Sequence, residues 1–376
     1  LQQDQQQQQA AGSTLPLVTA AAASAAMALV TAAQQELLAR SAALVRAALA
    51  DQRLFPSLRP RLVAAARETS ARVLERVPGI VAQTAGAAAA AGSAHGGAVA
   101  ERAGYRVPTA WAGVIPHGPN SASMVARDLT EELTAAAYRI TRFADDAYRA
   151  AVAEAAARQV TAALAPHGAQ EHAWRALTAQ GVTGYTDRAG RNWNLATYTE
   201  MAVRTAAARA YRASQMDRMT QMGLLFWVVD GTGRPCPLCA PWEGKVLSSM
   251  APGTYQSGGR TVTVEATVEE ATAAGLFHPN CRHTLAAYTP GATLLRPTPW
   301  TAHQEALYRA SQRLRELERR VRAAKAQHDA ALTPADRAAA AVRVRAGQAA
   351  IRHHVAATGV LRRRSREQLD LGFTQP

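Results

Sequence analysis

Two short stretches constrain this chain more than anything else in it. Cys236-Pro237-Leu238-Cys239 and His278-Pro279-Asn280-Cys281-Arg282-His283 contain all three cysteines and two of the ten histidines. A Cys-x-x-Cys turn aims two sulfurs at one point, about the separation a tetrahedral zinc ion requires. The second stretch adds a third thiolate and a choice of two imidazoles. Four such donors arriving in two pairs is the pattern of a closed structural zinc site. The fourth ligand is open at this stage. His278 would form a second knuckle with Cys281, whereas His283 would share a face with Cys281 in an extended chain. The alternatives are three unrelated buried thiols, which the clustering disfavours, and a disulfide with a spare thiol, which the lack of a secretory context disfavours.

The chain has 376 residues, enough for two or three domains with real cores. Alanine dominates and aromatic content is 5%, so much of the length reads as thinly packed helix. The formal charge of +14 fits an acidic partner, either nucleic acid or a negative protein surface. Lysine occurs only at Lys245 and Lys325. An Arg- and Ala-rich composition also arises in a GC-rich genome, which weakens charge as a nucleic-acid signal. Residues 15–33 are uncharged and nearly of spanning length, but they are mostly Ala and Thr and lack a basic flank. They read as a soluble Ala-rich helix, with no export signal and no membrane partner. The start at Leu1 leaves the true N-terminus open.

Taken in order, residues 1–14 are a Gln-rich tail expected to be disordered. Residues 15–85 have helical periodicity broken by Pro56, Pro60 and Pro78, which predicts two or three helices. GAAAAAGSAHGG (86–97) reads as a linker or loose turn and 107–118 as a loop. A long helix is expected from Asp128 to Leu164, stopped by Pro166-His167-Gly168, with a further helix at about 169–180. Asp187–Gly190 resembles a tight turn between short strands. Thr197 and Glu200 form a capping-box pattern opening a helix to Gly223, with Tyr198, Met201, Thr205 and Ala208 on one face. LLFWVVD (224–230) is the clearest strand. Further strands are expected at Lys245–Ser248, Arg260–Val264 and Arg282–Tyr288, with a hairpin turn at Ser257-Gly258-Gly259 and a helix at Val268–Ala274. A module this small and loop-rich would benefit from a metal staple.

The C-terminal part is different in kind. Leu307, Leu314, Val321 and His328 recur every seven residues, as do Ala310, Leu317, Ala324 and Ala331, predicting a coiled-coil helix over 301–332. Thr333-Pro334 opens a second helix ending at Gly359, so an antiparallel hairpin is expected. Residues 301–376 carry 15 basic and 7 acidic side chains. Arg362, Arg363, Arg364 and Arg366 are the sharpest basic cluster, a candidate contact for DNA or an acidic partner. The expected architecture is mainly α with a small α+β zinc-knuckle-like module. Its expected domains are 1–100 (tail and N-terminal helices), 101–223 (helical), 224–300 (zinc module) and 301–376 (basic coiled-coil hairpin).

Residues 186–211 (TDRAGRNWNLATYTEMAVRTAAARAY), 236–248 (CPLCAPWEGKVLS), 275–283 (GLFHPNCRH) and 344–370 together resemble the phage minor capsid protein 2 family. Through it the chain is similar to the F-like head-morphogenesis proteins of phage Mu and relatives. The resemblance covers roughly 181–371, and the first 100 residues add nothing to it. It implies a low-copy virion or procapsid component near the portal vertex, without a proven catalytic reaction. Assembly in the host cytoplasm, a place inside the head, and portal, capsid or scaffold partners follow from it. The wider group often has Cys where this chain has His283, so the resemblance favours Cys236, Cys239, Cys281 and His283 as ligands, with His278 beside the site.

The leading functional expectation is therefore a structural, non-enzymatic head protein with a zinc-stapled module, self-association through the coiled coil, and non-specific contact with packaged double-stranded DNA. The alternative is a metal-dependent nuclease or other DNA-acting hydrolase, with His278 as base and Glu243 or Asp230 on a catalytic metal. A full convergent acid/base set for that alternative is missing from the sequence.

Overall fold

A computed structural model describes residues 14–106, 119–160, 173–178, 183–186, 192–231, 235–293 and 300–369. The expectations for the Gln-rich segment 1–13, the loop at 107–118, the stop at Pro166–Gly168 and the turn at Asp187–Gly190 lie outside these residues. The protein is mainly helical with a small sheet region. Its helices are α1 (Leu15–Ala50), α2 (Phe55–Arg102), α3 (Pro119–Val160), α4 (Leu195–Gln221), α5 (Val268–Ala273), α6 (Ala302–Asp329) and α7 (Pro334–Thr358). Its strands are β1 (Thr183–Thr186), β2 (Asn192–Asn194), β3 (Phe226–Val229), β4 (Val246–Ser248), β5 (Gly253–Ser257), β6 (Arg260–Val264), β7 (Ala266–Thr267) and β8 (Leu285–Ala287). The chain divides into two compact units. One comprises Leu1–Ala23, Ile80–Leu129 and Met201–Tyr308, the other Ser24–Gly79, Thr130–Glu200 and Arg309–Pro376.

The first unit is built on a four-stranded sheet in the order β7-β4-β3-β8. β3 pairs antiparallel with β4 and β8, and β7 joins β4 in parallel. All four residues of β3 are buried, which is why it reads as an unbroken apolar run. Alternation along the strand divides them between two cores. Trp227 and Val229 join Leu247, Leu285, Leu276, Phe277 and the α4-end residues Met219 and Met222, together with Cys239 and Cys281. Phe226 joins Val246 and the hairpin residues Val262 and Val264. The hairpin turns through Gly258 and Gly259, at φ 57° and 73°, the geometry of a two-residue connection that matches strand twist. α5 opens with a true capping box, Thr267 with Glu270, at 2.8 and 3.0 Å.

Two local expectations are corrected. The cap of α4 is Asn194, not Thr197: its Oδ1 accepts from the N–H groups of Ala196 (3.0 Å) and Thr197 (3.4 Å), so the helix starts earlier. Residues 86–97 are not a linker; α2 runs unbroken through them, and through Pro60 and Pro78. Burial explains this, because Ala85, Ala88, Val99 and Ala100 are in the interior. A Cβ placed on Gly92 would lie 2.0 Å from the carbonyl oxygen of Tyr211, and one on Gly96 would lie 2.5 Å from that of Gln215. The glycines are what let α2 and α4 meet backbone to backbone. Beside them, His95 Nδ1 lies 2.8 Å from the Tyr211 hydroxyl.

In the second unit Ser70 donates to the Ala137 carbonyl (2.8 Å), Arg59 pairs with Asp145 (2.9 Å), and Trp174 Nε1 donates to the Ala330 carbonyl (2.7 Å). Leu314, Leu317 and Val321 of α6 pack with Ile351 of α7 and with Val360. His354 Nε2 lies 2.8 Å from the Ala310 carbonyl and Arg343 Nε 3.2 Å from Gln327, while Gly347 faces Val321. These pairings run the two helices in opposite directions. α7 stops at Gly359 in the left-handed region, φ 68°. α1 is long and apolar enough to cross a membrane by length and composition; here its Met27, Leu37, Leu38 and Val45 are buried against protein.

Candidate metal centre

Both predicted stretches fold as X-Pro-X-Cys turns. Cys239 N–H donates to the Cys236 carbonyl at 3.1 Å, and Cys281 N–H to the His278 carbonyl at 2.9 Å. Proline at the second position presets φ for such a turn. In the second turn Asn280 takes φ 64°, a conformation asparagine tolerates. Phe277, the residue before His278, stands at φ 58°, which is strained for a bulky residue. The strain is held by packing: Phe277 is buried, and the Arg212 guanidinium lies 4.5 Å from its ring centre.

The turns converge on one cluster. Cys236 Sγ lies 2.9 Å from His278 Nε2, Cys239 Sγ 3.6 Å from Cys281 Sγ, and Cys281 Sγ 3.3 Å from His283 Nδ1. Two donor triads result, Cys236/Cys239/His278 and Cys239/Cys281/His283, each with its ligand atoms within 4.8 Å of one another. Around a tetrahedral zinc the sulfur–sulfur edge is about 3.8 Å and the sulfur–nitrogen edge about 3.6 Å. The three thiols are not bridged as a disulfide. This donor set fits a metal ion of zinc's size and softness. Each histidine also anchors its second ring nitrogen, as metal-bound imidazoles do: His283 Nε2 is 2.7 Å from Glu243 Oε1, and His278 Nδ1 is 2.8 Å from the Pro279 carbonyl.

The electrostatics favour thiolates at Cys236 and Cys281. The Cys239 thiol, then the imidazole of His278, holds Cys236 down to about 4, against the cost of burial. Cys239 and then His283, with Arg212 adding to them, bring Cys281 to about 4. Cys239 is pushed up because it lies between two thiolates. His278 rises through Cys236. Burial alone would lower His283, but Cys281 and Glu243 outweigh it and the net shift is upward. Arg212 is buried and drawn down to about 10 by desolvation, with Cys281 and Cys239 opposing the shift. Its Nη1 donates to the His283 carbonyl at 3.3 Å.

All five predicted metal-site residues therefore come together. Two residues at the centre, Arg212 and Glu243, have roles there that the motifs do not carry. Arg212 extends the stripe Thr205, Ala208 by one more turn, and a cation on that buried stripe was the available signal. The sequence offers Glu243 only as a ligand of a catalytic metal; its place against His283 has no local signature. Asp230, the other residue considered for that role, is exposed.

A sequence model described as phage minor capsid protein 2 matches residues 70–356. The chain belongs to the phage minor capsid protein 2 family. Membership carries a phage structural role and makes the chain a virion component. No curated protein and no solved structure matches it. The match begins at residue 70, upstream of the resemblance read from the motifs, and includes the whole Cys/His cluster. The Arg362–Arg366 run lies beyond its end. In the fold this capsid protein splits that run. Arg362 makes two hydrogen bonds to buried Glu367, at 2.6 and 2.9 Å, and Arg366 faces Glu200 at 3.9 Å. Arg363 and Arg364 are exposed.

Proposed function

We propose that this minor capsid protein is a non-enzymatic head component acting in procapsid assembly or at the portal inside the head, with a closed structural zinc at the Cys/His centre. The host cytoplasm is where it assembles, and portal, capsid and scaffold subunits are its partners. The observation that carries this reading is the commitment of the chemistry-bearing side chains to one cluster within the family-matched segment. His278 has both ring nitrogens engaged and Glu243 holds His283. Of the residues the nuclease alternative needs, that leaves only Asp230 uncommitted. When bound, the zinc would cross-link the two turns and tie them to the sheet.

Disrupting the gene in the phage that encodes the chain tests this. Defective or unstable heads, with the protein detected in wild-type virions, are the expected result; normal infectious particles lacking it would overturn the proposal. In the same reading α6 and α7 form a coiled-coil hairpin that supports self-association, and packaged DNA is met without sequence preference by the exposed Arg363 and Arg364. Double replacement of Arg363 and Arg364 by glutamate is then expected to reduce the slope of log affinity for duplex DNA against log salt by about 2. An unchanged slope would move the DNA contact elsewhere.

A further inference from the structure

We infer that Glu243 is the positioning residue of the metal centre and that it makes His283, bound through Nδ1, the fourth ligand. This inference rests on the zinc reading above and narrows its ligand set. Glu243 is 1% exposed and His283 3%. An isolated carboxylate at that depth is costly, so its location needs a compensating partner. That partner is His283 Nε2 at 2.7 Å. An imidazole whose Nε2 carries the proton for a carboxylate has its lone pair on Nδ1. That nitrogen is the one 3.3 Å from Cys281 Sγ and grouped with Cys239.

The pair is placed by the sheet, not by the knuckle turns. Glu243 bridges Val229 at the end of β3, with Gly244 N–H donating to the Val229 carbonyl at 3.2 Å. His283 adjoins Thr284, whose carbonyl accepts from Asp230 N–H at 3.1 Å. Both residues are thus registered on the same strand end from opposite neighbours. His278 contrasts with this. It is half-buried, and its second nitrogen is held by the carbonyl of the next residue in its own turn. Arg212 adds a buried cation at the His283 carbonyl, which offsets the negative charge of a three-thiolate zinc centre together with Glu243. A merely structural Glu–His pair would tie the same segments together without His283 having to bind the metal.

Long-range proton–nitrogen NMR of the zinc-loaded full chain reads the tautomer without any substitution. The expected result is His283 protonated at Nε2 and metal-bound at Nδ1, with His278 free. Zinc affinity by chelator competition should fall about 10- to 100-fold in Glu243→Gln and Glu243→Ala, while His278→Ala keeps its zinc. Metal coordinated by His278 with His283 free, or unchanged affinity in both Glu243 variants, would overturn the inference and leave the zinc reading intact. A wild-type chain that binds no zinc would overturn both.

Discussion

Cys239→Ser is expected to abolish metal binding and to melt the segment from β3 to β8. Cys239 is fully buried and is the one donor shared by both triads. Structural zinc contributes an apparent 10–16 kcal/mol, roughly, in small finger peptides at neutral pH. Whole domains are stable by about 5–15 kcal/mol. Losing the ion therefore removes as much free energy as the module has to lose. Hydrogen exchange should show β3, β4 and β8 losing protection, and elemental analysis should show the zinc falling from about one per chain to none. A folded, zinc-replete Cys239→Ser chain would rule the centre out. Acid should act in the same direction. Cys236 and Cys281 are held at about 4 in the folded chain, far below the thiol's usual value of about 8.5. The folded state binds these protons less readily than the unfolded one. The thiolates' contribution to folding is thus complete above about pH 8.5 and is lost as pH falls through about 4. Thiolate absorbance of the zinc-loaded protein should persist at neutral pH and be lost, with the protection of β3, β4 and β8, as acid protonates Cys236 and Cys281 near pH 4.

Gly92→Ala should be the most damaging single methyl in the helical part of the first unit. Helix propensity alone would make the change favourable by about 1 kcal/mol. The new methyl, however, would meet the Tyr211 carbonyl oxygen at 2.0 Å and its carbon at 2.8 Å, both backbone atoms of α4 that no rotamer change can move. Overpacking of this kind costs about 1–3 kcal/mol and occasionally more, so the clash decides the sign. Gly79→Ala and Gly86→Ala are the controls. Each has open space where the methyl would go, and each is expected to gain up to about 1 kcal/mol. Denaturant melts of the three variants check the contrast. Destabilisation of similar size in all three would mean that helix packing at Gly92 is not what matters.

That contrast also explains why residues 86–97, whose composition reads as a linker, are helix. A run of Gly and Ala is a poor helix in isolation, and its composition is that of a linker. It is helical because its small residues fit a neighbour that is more than a hundred positions away in sequence. The same reason accounts for Glu243 and Arg212, whose roles arise only when β3, the 278–283 turn and α4 come together. It accounts for Arg362 and Arg366 as well: in sequence they are part of a basic run, but in the fold they face Glu367 and Glu200.

Other features were legible because their causes are local. Apolar β-prone residues made β3, two consecutive glycines made the β5–β6 turn, and Thr333-Pro334 with Gly359 bounded α7. The same holds for Cys236 with Cys239 and for His278 with Cys281, each pair drawn together within one short proline turn, whereas His283 is placed by the sheet. Sequence by itself thus determined which side chains could bind a metal, and the motifs that carried the family resemblance. Only the tertiary structure decided how the two turns face each other and which buried charges surround them, because those positions are set by packing between segments far apart along the chain.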